Sequence, residues 1–291
     1  MQHLACQRNP AEGVRIVRRP SLCLALGLLC FLVAHSAAAQ TRSLPPAGTS
    51  GVALHGVMIP TGFEGQNYSA MIQIAVDGSP LPGATWDLGA SLVSEGREPE
   101  SFSGRVVAEE PGAKVVLEFQ VEFKPGPYTL TLTARETTAG QSGTRKLEGH
   151  WPDPGEQRAT VSPVVFLQPA KGAFVRGKNA RGQGALALED ADAIRAQLPT
   201  AVVSVVCRGA VTLDPVRVER RLAGVASADF KTFELLPGQR RCAQVRDMIA
   251  PGILQEGLKY EVRLATETGE IASGGREFVT IVGTPGSQPG P

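Results

Sequence analysis

The feature that most constrains this fold is a series of short segments in which apolar and polar residues alternate, separated by glycine and proline. The clearest runs through VVLEFQVEF at Val115–Phe123, where every second residue is apolar. Alternation of this kind places the apolar side chains on one face of a β-strand. A second segment, TLTLTA at 129–134, alternates leucine with threonine, and β-branched threonine suits an exposed strand surface. Both segments predict strands with one buried face.

Similar segments recur along most of the chain. Strands at intervals of about ten residues favour an antiparallel sandwich, because a parallel α/β sheet needs a helix between successive strands. The predicted strands are Val52–Ile59, Tyr68–Val76, Arg105–Ala108, Lys114–Phe123 and Tyr128–Ala134 in the first half, and Ala201–Cys207, Val211–Glu219, Phe230–Leu235, Tyr260–Thr266 and Glu277–Val282 in the second.

Two short helices are predicted in the second half. Glu189–Leu198 carries acidic residues in its first turn and is followed by a proline, both typical of helix ends. Ala243–Ile249 is followed by Pro251 and a glycine. The predicted fold class is therefore all-β, with one or two short helices in the second half.

A weak internal repeat relates the two halves. Gly126–Thr137 matches Gly257–Thr268, and in each segment a turn is followed by a tyrosine and an alternating strand. This pattern resembles the penultimate-strand region of immunoglobulin-like and fibronectin-III-like modules of bacterial exported proteins. The resemblance implies two antiparallel immunoglobulin-like β-sandwich domains, with Tyr128 and Tyr260 at structural corners where the hydroxyl bonds the backbone. It implies no catalytic residue.

The first 39 residues have the three parts of a secretory signal peptide. A basic stretch ends at Arg19, an uncharged apolar run covers Leu22–Ala34, and small residues end at Ala39. The apolar run is short for a membrane-spanning helix, which needs about 20 residues. We predict cleavage after Ala39 and a secreted or periplasmic product; a retained membrane anchor is the alternative.

The predicted organisation has five parts. They are a signal peptide at 1–39, a flexible linker at 40–50, a first β-sandwich domain at 51–163, a second at 164–282 and a disordered tail at 283–291. The linker and the tail are rich in proline, glycine and serine.

Charge and composition argue against several classes of function. The chain has 29 Lys and Arg against 28 Asp and Glu, so bulk charge predicts no nucleic-acid binding. No apolar stretch after residue 40 is long enough to span a bilayer, so no membrane attachment is predicted after signal cleavage. Only 4 His and 5 Cys occur, some of them in the leader, and we predict no metal site and no cofactor. Asp190 and Asp192 are interpreted as acids of the first helical turn rather than calcium ligands.

Cys207 and Cys242 are the cysteines that remain after the predicted cleavage. An even number of cysteines in an exported chain indicates a disulfide. Two buried free thiols are the alternative.

Basic residues cluster in two places. The glycine-rich segment with Lys171, Arg176, Lys178 and Arg181 is interpreted as a flexible loop, because no Walker A motif or βαβ unit accompanies it. The second cluster is interpreted as a surface patch near the disulfide, formed by Arg217, Arg220, Arg221, Arg240 and Arg241.

The sequence predicts an exported, non-catalytic protein that acts as a binding, adhesion or structural module of the cell envelope, with an unknown protein or envelope component as partner. No nucleophile elbow G-x-S-x-G occurs. The alternative is an envelope hydrolase or sugar-active enzyme between the domains, using His150, Trp151 and Asp153. A third reading is a chaperone-like module that offers an open edge strand.

Aromatic residues are few. Trp86 is predicted in the first core, which leaves Trp151 and Tyr68 as candidate sugar platforms. His55 is predicted to be a structural histidine in the first strand.

Overall fold

The computed structural model describes residues 42–43, 51–76, 80–111, 114–155, 158–190, 192–223, 230–279 and 281–282. All of these belong to one compact unit. The predicted signal peptide, the disordered tail and all of the predicted linker except residues 42–43 lie outside the described residues.

The described residues form nineteen β-strands and no helix. The strands are β1 (Arg42–Ser43), β2 (Leu54–Glu64), β3 (Asn67–Val76), β4 (Thr85–Ser94), β5 (Glu100–Val107), β6 (Lys114–Phe123), β7 (Gly126–Glu136), β8 (Ser142–Trp151), β9 (Thr160–Val161), β10 (Val165–Arg176), β11 (Asn179–Leu188), β12 (Ile194–Arg195), β13 (Thr200–Cys207), β14 (Val216–Ala223), β15 (Phe233–Leu235), β16 (Cys242–Ile249), β17 (Lys259–Thr266), β18 (Gly269–Glu277) and β19 (Ile281–Val282). The all-β prediction is confirmed.

Two smaller sheets pack against one large sheet. The large sheet has the order β16-β13-β10-β6-β3-β2, with β11 paired to β10 and β9 paired to β13. A five-stranded sheet, β1-β8-β7-β4-β5, packs on it through a core that includes Leu88 and Leu117. A four-stranded sheet, β15-β14-β17-β18, packs on it through a second core that includes Val206 and Val262.

The two halves repeat the same strand order. The order β5-β4-β7-β8 in the first half corresponds to β15-β14-β17-β18 in the second, and β2-β3-β6 corresponds to β10-β13-β16. Tyr128 and Tyr260 lie near the starts of the equivalent strands β7 and β17. The large sheet continues across the predicted boundary at 163/164, because β6 pairs with β10. The division into two domains stays a prediction.

We call the hairpin of β10 and β11 the arm, and it connects the two halves. The beginning of β10 pairs antiparallel with β13, and its end, Gly172–Arg176, pairs in parallel with Lys114–Glu118 of β6. Gly177 has a φ of 60° at the tip, a conformation that favours glycine. The flexible loop predicted from Lys171 to Arg181 is therefore wrong.

Two of the basic residues behind that prediction are held by a buried carboxylate. Arg176 and Arg181 lie 3.0 Å and 2.9 Å from the same oxygen of Glu118, which is in β6. Their positive charge stabilises the attachment of the arm to the first half rather than marking a solvated loop.

Both predicted helices are also wrong. Ala243–Ile249 belongs to β16, where each residue pairs with β13, and alternate residues Val245 and Ile249 are on the buried face. In the segment 189–198 the described residues form turns and the strand β12. The acids interpreted as helix-start residues have other partners, because Glu189 pairs with Arg145 and Asp192 accepts the Glu189 N–H.

A glycine in the arm permits its close approach to β6. A Cβ added at Gly172 would lie 2.2 Å from the carbonyl oxygen of Lys114, which is backbone and cannot rotate away. We expect Gly172→Ala to lower the free energy of unfolding by about 1–3 kcal/mol, the usual cost of overpacking. Chemical denaturation would measure the change.

Gly182→Ala is the matched control, because it lies in the same arm and a Cβ there would have no atom within 4 Å. We expect no loss of stability in this variant. Equal destabilisation by the two substitutions would contradict the close approach of the arm to β6.

Candidate functional site

A cavity of 620 Å³ lies along the arm, and we call it the arm groove. Both halves of the chain contribute to it. Its lining residues are His55, Ala75, Lys114, Gln168, Pro169, Ala170, Lys171, Gln183, Gly184, Leu186, Leu188, Asp192, Ala193, Arg195 and Leu198.

The floor of the groove is apolar. Ala170 and Leu186 are half-buried and pack on a small cluster formed by the buried residues Ala75, Val116 and Phe174. A Cβ at Gly184 would lie 2.6 Å from the Phe174 ring, so only glycine fits there without a shift of the ring. The floor is thus an apolar surface in which Ala170 and Leu186 are half-exposed above a buried cluster.

One wall of the groove is built around His55. Its Nε2 atom lies 2.6 Å from the carbonyl oxygen of Ala187, so this nitrogen donates to it. Its Nδ1 atom lies 3.3 Å from Asp192 and 3.5 Å from Glu189. The ring therefore connects β2 to the end of the arm, a structural role in keeping with its prediction.

Glu189 is held by three further bonds. Arg145 donates to both of its carboxylate oxygens, at 2.7 Å and 2.5 Å, and the Gly56 N–H donates to one of them at 2.8 Å. Arg145 also donates to the Leu54 carbonyl. Through bonds to both of its oxygens, Glu189 fixes this wall of the groove in place.

The outer edge of β11 is capped by side chains. The Gln73 amide donates to the Ala185 carbonyl at 2.9 Å and accepts from the Ala187 N–H at 2.7 Å. The His55 ring donates a hydrogen bond to the Ala187 carbonyl. These side chains take the place of a neighbouring strand along the part of the arm next to the groove.

The lining residues carry more positive than negative charge. Lys114, Lys171 and Arg195 face one acid, Asp192. Asp192 is already engaged by His55 and by the Glu189 N–H. The Lys171 and Arg195 side chains are exposed and form no ion pair with any described residue, whereas the Arg195 backbone is fixed by the Gln168 amide.

The prediction that Trp151 and Tyr68 are candidate sugar platforms is wrong, because both side chains are buried. Trp151 is 1% exposed, and its ring centroid lies 4.8 Å from that of Tyr68 in the first core. The Tyr68 hydroxyl donates to the Pro152 carbonyl. Trp86 lies in the same core, as predicted. Of the residues proposed for an enzyme, His150 and Asp153 are exposed and Trp151 is buried.

The two predicted corner tyrosines have different surroundings. The Tyr260 hydroxyl donates to the Asp247 carboxylate, a side chain rather than the backbone expected for a corner. The Tyr128 side chain lies directly over Gly149, where a Cβ would be 2.5 Å from the hydroxyl oxygen. A backbone bond from Tyr128 stays a prediction.

Because Tyr68 and Tyr260 are buried, we expect the free energy of unfolding to fall in alkali. Burial raises the pKa of Tyr68, and burial followed by the bond to Asp247 raises that of Tyr260. The unfolded chain releases these protons near pH 10, so stability is fully present below that pH and falls as the pH rises further. We expect denaturation from pH 8 to 12 to show this fall, with the tyrosinate absorbance of Tyr68 and Tyr260 appearing only on unfolding.

Tyr260→Phe should make the alkaline decline less steep. An identical slope in wild type and variant would contradict a raised pKa at this position.

The predicted disulfide between Cys207 and Cys242 is confirmed, and it joins directly paired residues of β13 and β16.

The second basic cluster is divided rather than continuous. Arg220 is buried beside Asp247, and Arg241 donates to backbone carbonyls. Arg217 pairs with Glu219, and Arg221 with Glu261.

No protein-family model matches the chain, and comparison with curated proteins finds no significant match. Within the described ranges, no three His, Cys, Asp or Glu residues are arranged to hold a metal ion. The same part of the chain has no helix that could cross a bilayer. The geometry of the arm groove is therefore the basis for a functional proposal.

Proposed function

We propose that this protein is an exported, non-catalytic binding module of the cell envelope, built from two immunoglobulin-like β-sandwich domains, and that the arm groove is its binding surface. The repeated strand order supports two related sandwiches. The observation that carries the proposal is a 620 Å³ cavity with contributions from both halves. Its volume lies in the range of about 300–1,000 Å³ that is usual for ligand sites.

Polar groups around the groove, such as Glu189 and His55, already form bonds within the protein, which favours a binding function over a hydrolytic one. A hydrolytic site needs a nucleophile or general base that is available to substrate. Both cysteines of the described part of the chain are joined in the disulfide, and the oxygens of Glu189 are occupied by Arg145 and Gly56. His55 uses one ring nitrogen to hold the arm.

The groove is also better suited to recognition through side chains than to strand addition. Binding of a strand needs free backbone groups at a sheet edge. Gln73 and His55 already occupy those groups at Ala185 and Ala187. This part of β11 is therefore a poor candidate for the open edge of a chaperone-like module.

Affinity capture from the envelope of the native host tests the proposal. The double variant Lys171→Glu/Arg195→Glu reverses the charge of two groove cations that form no ion pair with a described residue, and we expect it to lose the captured component. Lys178→Glu is the control, because Lys178 is exposed at the tip of the same arm and does not line the groove.

The control should retain capture at the wild-type level, with thermal unfolding showing that both variants are folded. Undiminished capture by the double variant would refute the groove as the binding surface.

A further inference from the structure

We infer that the arm groove takes a small amphiphilic organic anion, whose apolar body lies on the floor and whose carboxylate or similar group lies between Lys171 and Arg195. This inference rests on the proposed function and specifies the ligand class of the same site.

The first argument is the contrast between the apolar floor of the groove and the charged side chains of Lys171 and Arg195 at its border. Ala170 and Leu186 leave apolar surface half-exposed above a buried cluster. Covering that surface with an apolar group removes it from water and is favourable, at about 25 cal/mol per Å². A ligand with a hydrocarbon body therefore gains affinity from this floor, whereas an inorganic anion does not.

The second argument is electrostatic. Lys171 projects from the arm and Arg195 from β12, so cations that form no ion pair with a described residue come from two different elements that border the groove. The acid of the lining, Asp192, already accepts a hydrogen bond from the Glu189 N–H and lies 3.3 Å from His55 Nδ1. An anionic group in the groove thus meets positive charge without displacing an existing ion pair, and charge-assisted bonds to Lys or Arg are stronger than neutral ones.

The third argument excludes an extended peptide as the occupant. A peptide strand would need the backbone groups of β11, and those at Ala185 and Ala187 are bonded to Gln73 and His55. Displacing the Gln73 amide would also break its bond to the buried Glu118. Recognition at this place therefore depends on side chains and on apolar contact, which suits a small molecule.

The test uses decanoate as the probe, below its micelle concentration, with purified protein carrying labelled alanine and leucine methyl groups. We expect saturable shifts of the Ala170 and Leu186 methyl signals. Decanamide has the same chain without the charge, and acetate has the charge without the chain. Decanamide should bind at least about tenfold more weakly, because it lacks the charge-assisted bonds. Acetate should leave the two methyl signals unchanged.

The double variant Lys171→Gln/Arg195→Gln should weaken decanoate binding by at least about tenfold, since it removes both cationic partners. Lys178→Gln is the matched control and should bind decanoate like the wild type. Equal binding of decanamide, equal binding by the double variant, or no shift at Ala170 and Leu186 would each overturn the inference.

The outcome is distinguishable from that of the proposed function. If decanoate fails to bind while Lys171→Glu/Arg195→Glu still abolishes capture, the ligand class is wrong and the groove remains the binding surface. If decanoate fails and capture is also unchanged, both proposals are wrong.

Discussion

Replacing Arg176 and Arg181 together with glutamine is expected to lower the free energy of unfolding by about 3–5 kcal/mol, the cost of leaving a buried charge without its partner. The Glu118 side chain is only 4% exposed, whereas the two arginine side chains are 53% and 50% exposed. Without the arginines, Glu118 keeps the Gln73 amide as a donor at 3.1 Å but loses both cations. Urea denaturation of the purified protein would measure the loss.

Removing the carboxylate should cost less than removing its partners. In Glu118→Gln the two arginines return to water, where each is already half-exposed, and no buried charge remains. Glu118→Gln placed in the Arg176→Gln/Arg181→Gln background should therefore recover much of the lost stability. A triple variant less stable than the double variant would contradict this account.

Asp87 and Arg105 provide a control for the double substitution. They form an ion pair at 2.7 Å, but their side chains are 45% and 67% exposed. Exposed pairs contribute little because water screens the charges and the side chains lose rotational freedom. Arg105→Gln should leave the free energy of unfolding nearly unchanged.

Strand positions could be predicted where apolar residues recur at every second position of a segment. β6 begins and ends at the predicted residues, Lys114 and Phe123, because its alternation is continuous. β4 was missed, since TWDLGASLVS contains glycine and small polar residues that weaken the alternation. β8 was missed for a related reason, because SGTRKLEGHW has few apolar residues and its exposed face is charged.

The arm could not be predicted from local pattern. Its residues 171–184 are basic and rich in glycine, which is typical of loops. Their strand conformation depends on partners far along the chain, such as Glu118 for Arg181 and the Lys114 backbone for Gly172. Tertiary contacts of this kind override the local preference.

The candidate site could not be predicted either, because the residues that form it are far apart in the sequence. His55 and Ala187 are separated by 132 positions, and Gly56 and Glu189 by 133. A signal for part of it was present, because Gln73 interrupts the apolar strand AMIQIAV and Glu118 interrupts VVLEF. A buried polar residue must find a hydrogen-bond partner. These two positions could therefore have indicated a buried polar contact, although not its partners.

Replacing Cys207 and Cys242 together with alanine is expected to lower the free energy of unfolding by more than about 3.8 kcal/mol, the value that the chain-entropy account gives for the crosslink alone. The two residues are 35 positions apart, so the bond removes many conformations from the unfolded chain. It also ties β16, at the end of the large sheet, to β13. Guanidinium denaturation should show the loss as a lower midpoint.

Reduction of the wild-type protein separates the effect of losing the crosslink from the effect of truncating the two side chains. Cys207 is fully buried in the first core, so its truncation to alanine adds a packing loss that reduction does not. The reduced wild type should therefore lie between the oxidised protein and the double alanine variant in stability. Because the reduced chain unfolds to a more extended ensemble, its unfolding should also show a larger dependence on denaturant. Coincident unfolding curves for the oxidised and reduced wild-type proteins would show that the crosslink contributes nothing to the stability of this fold.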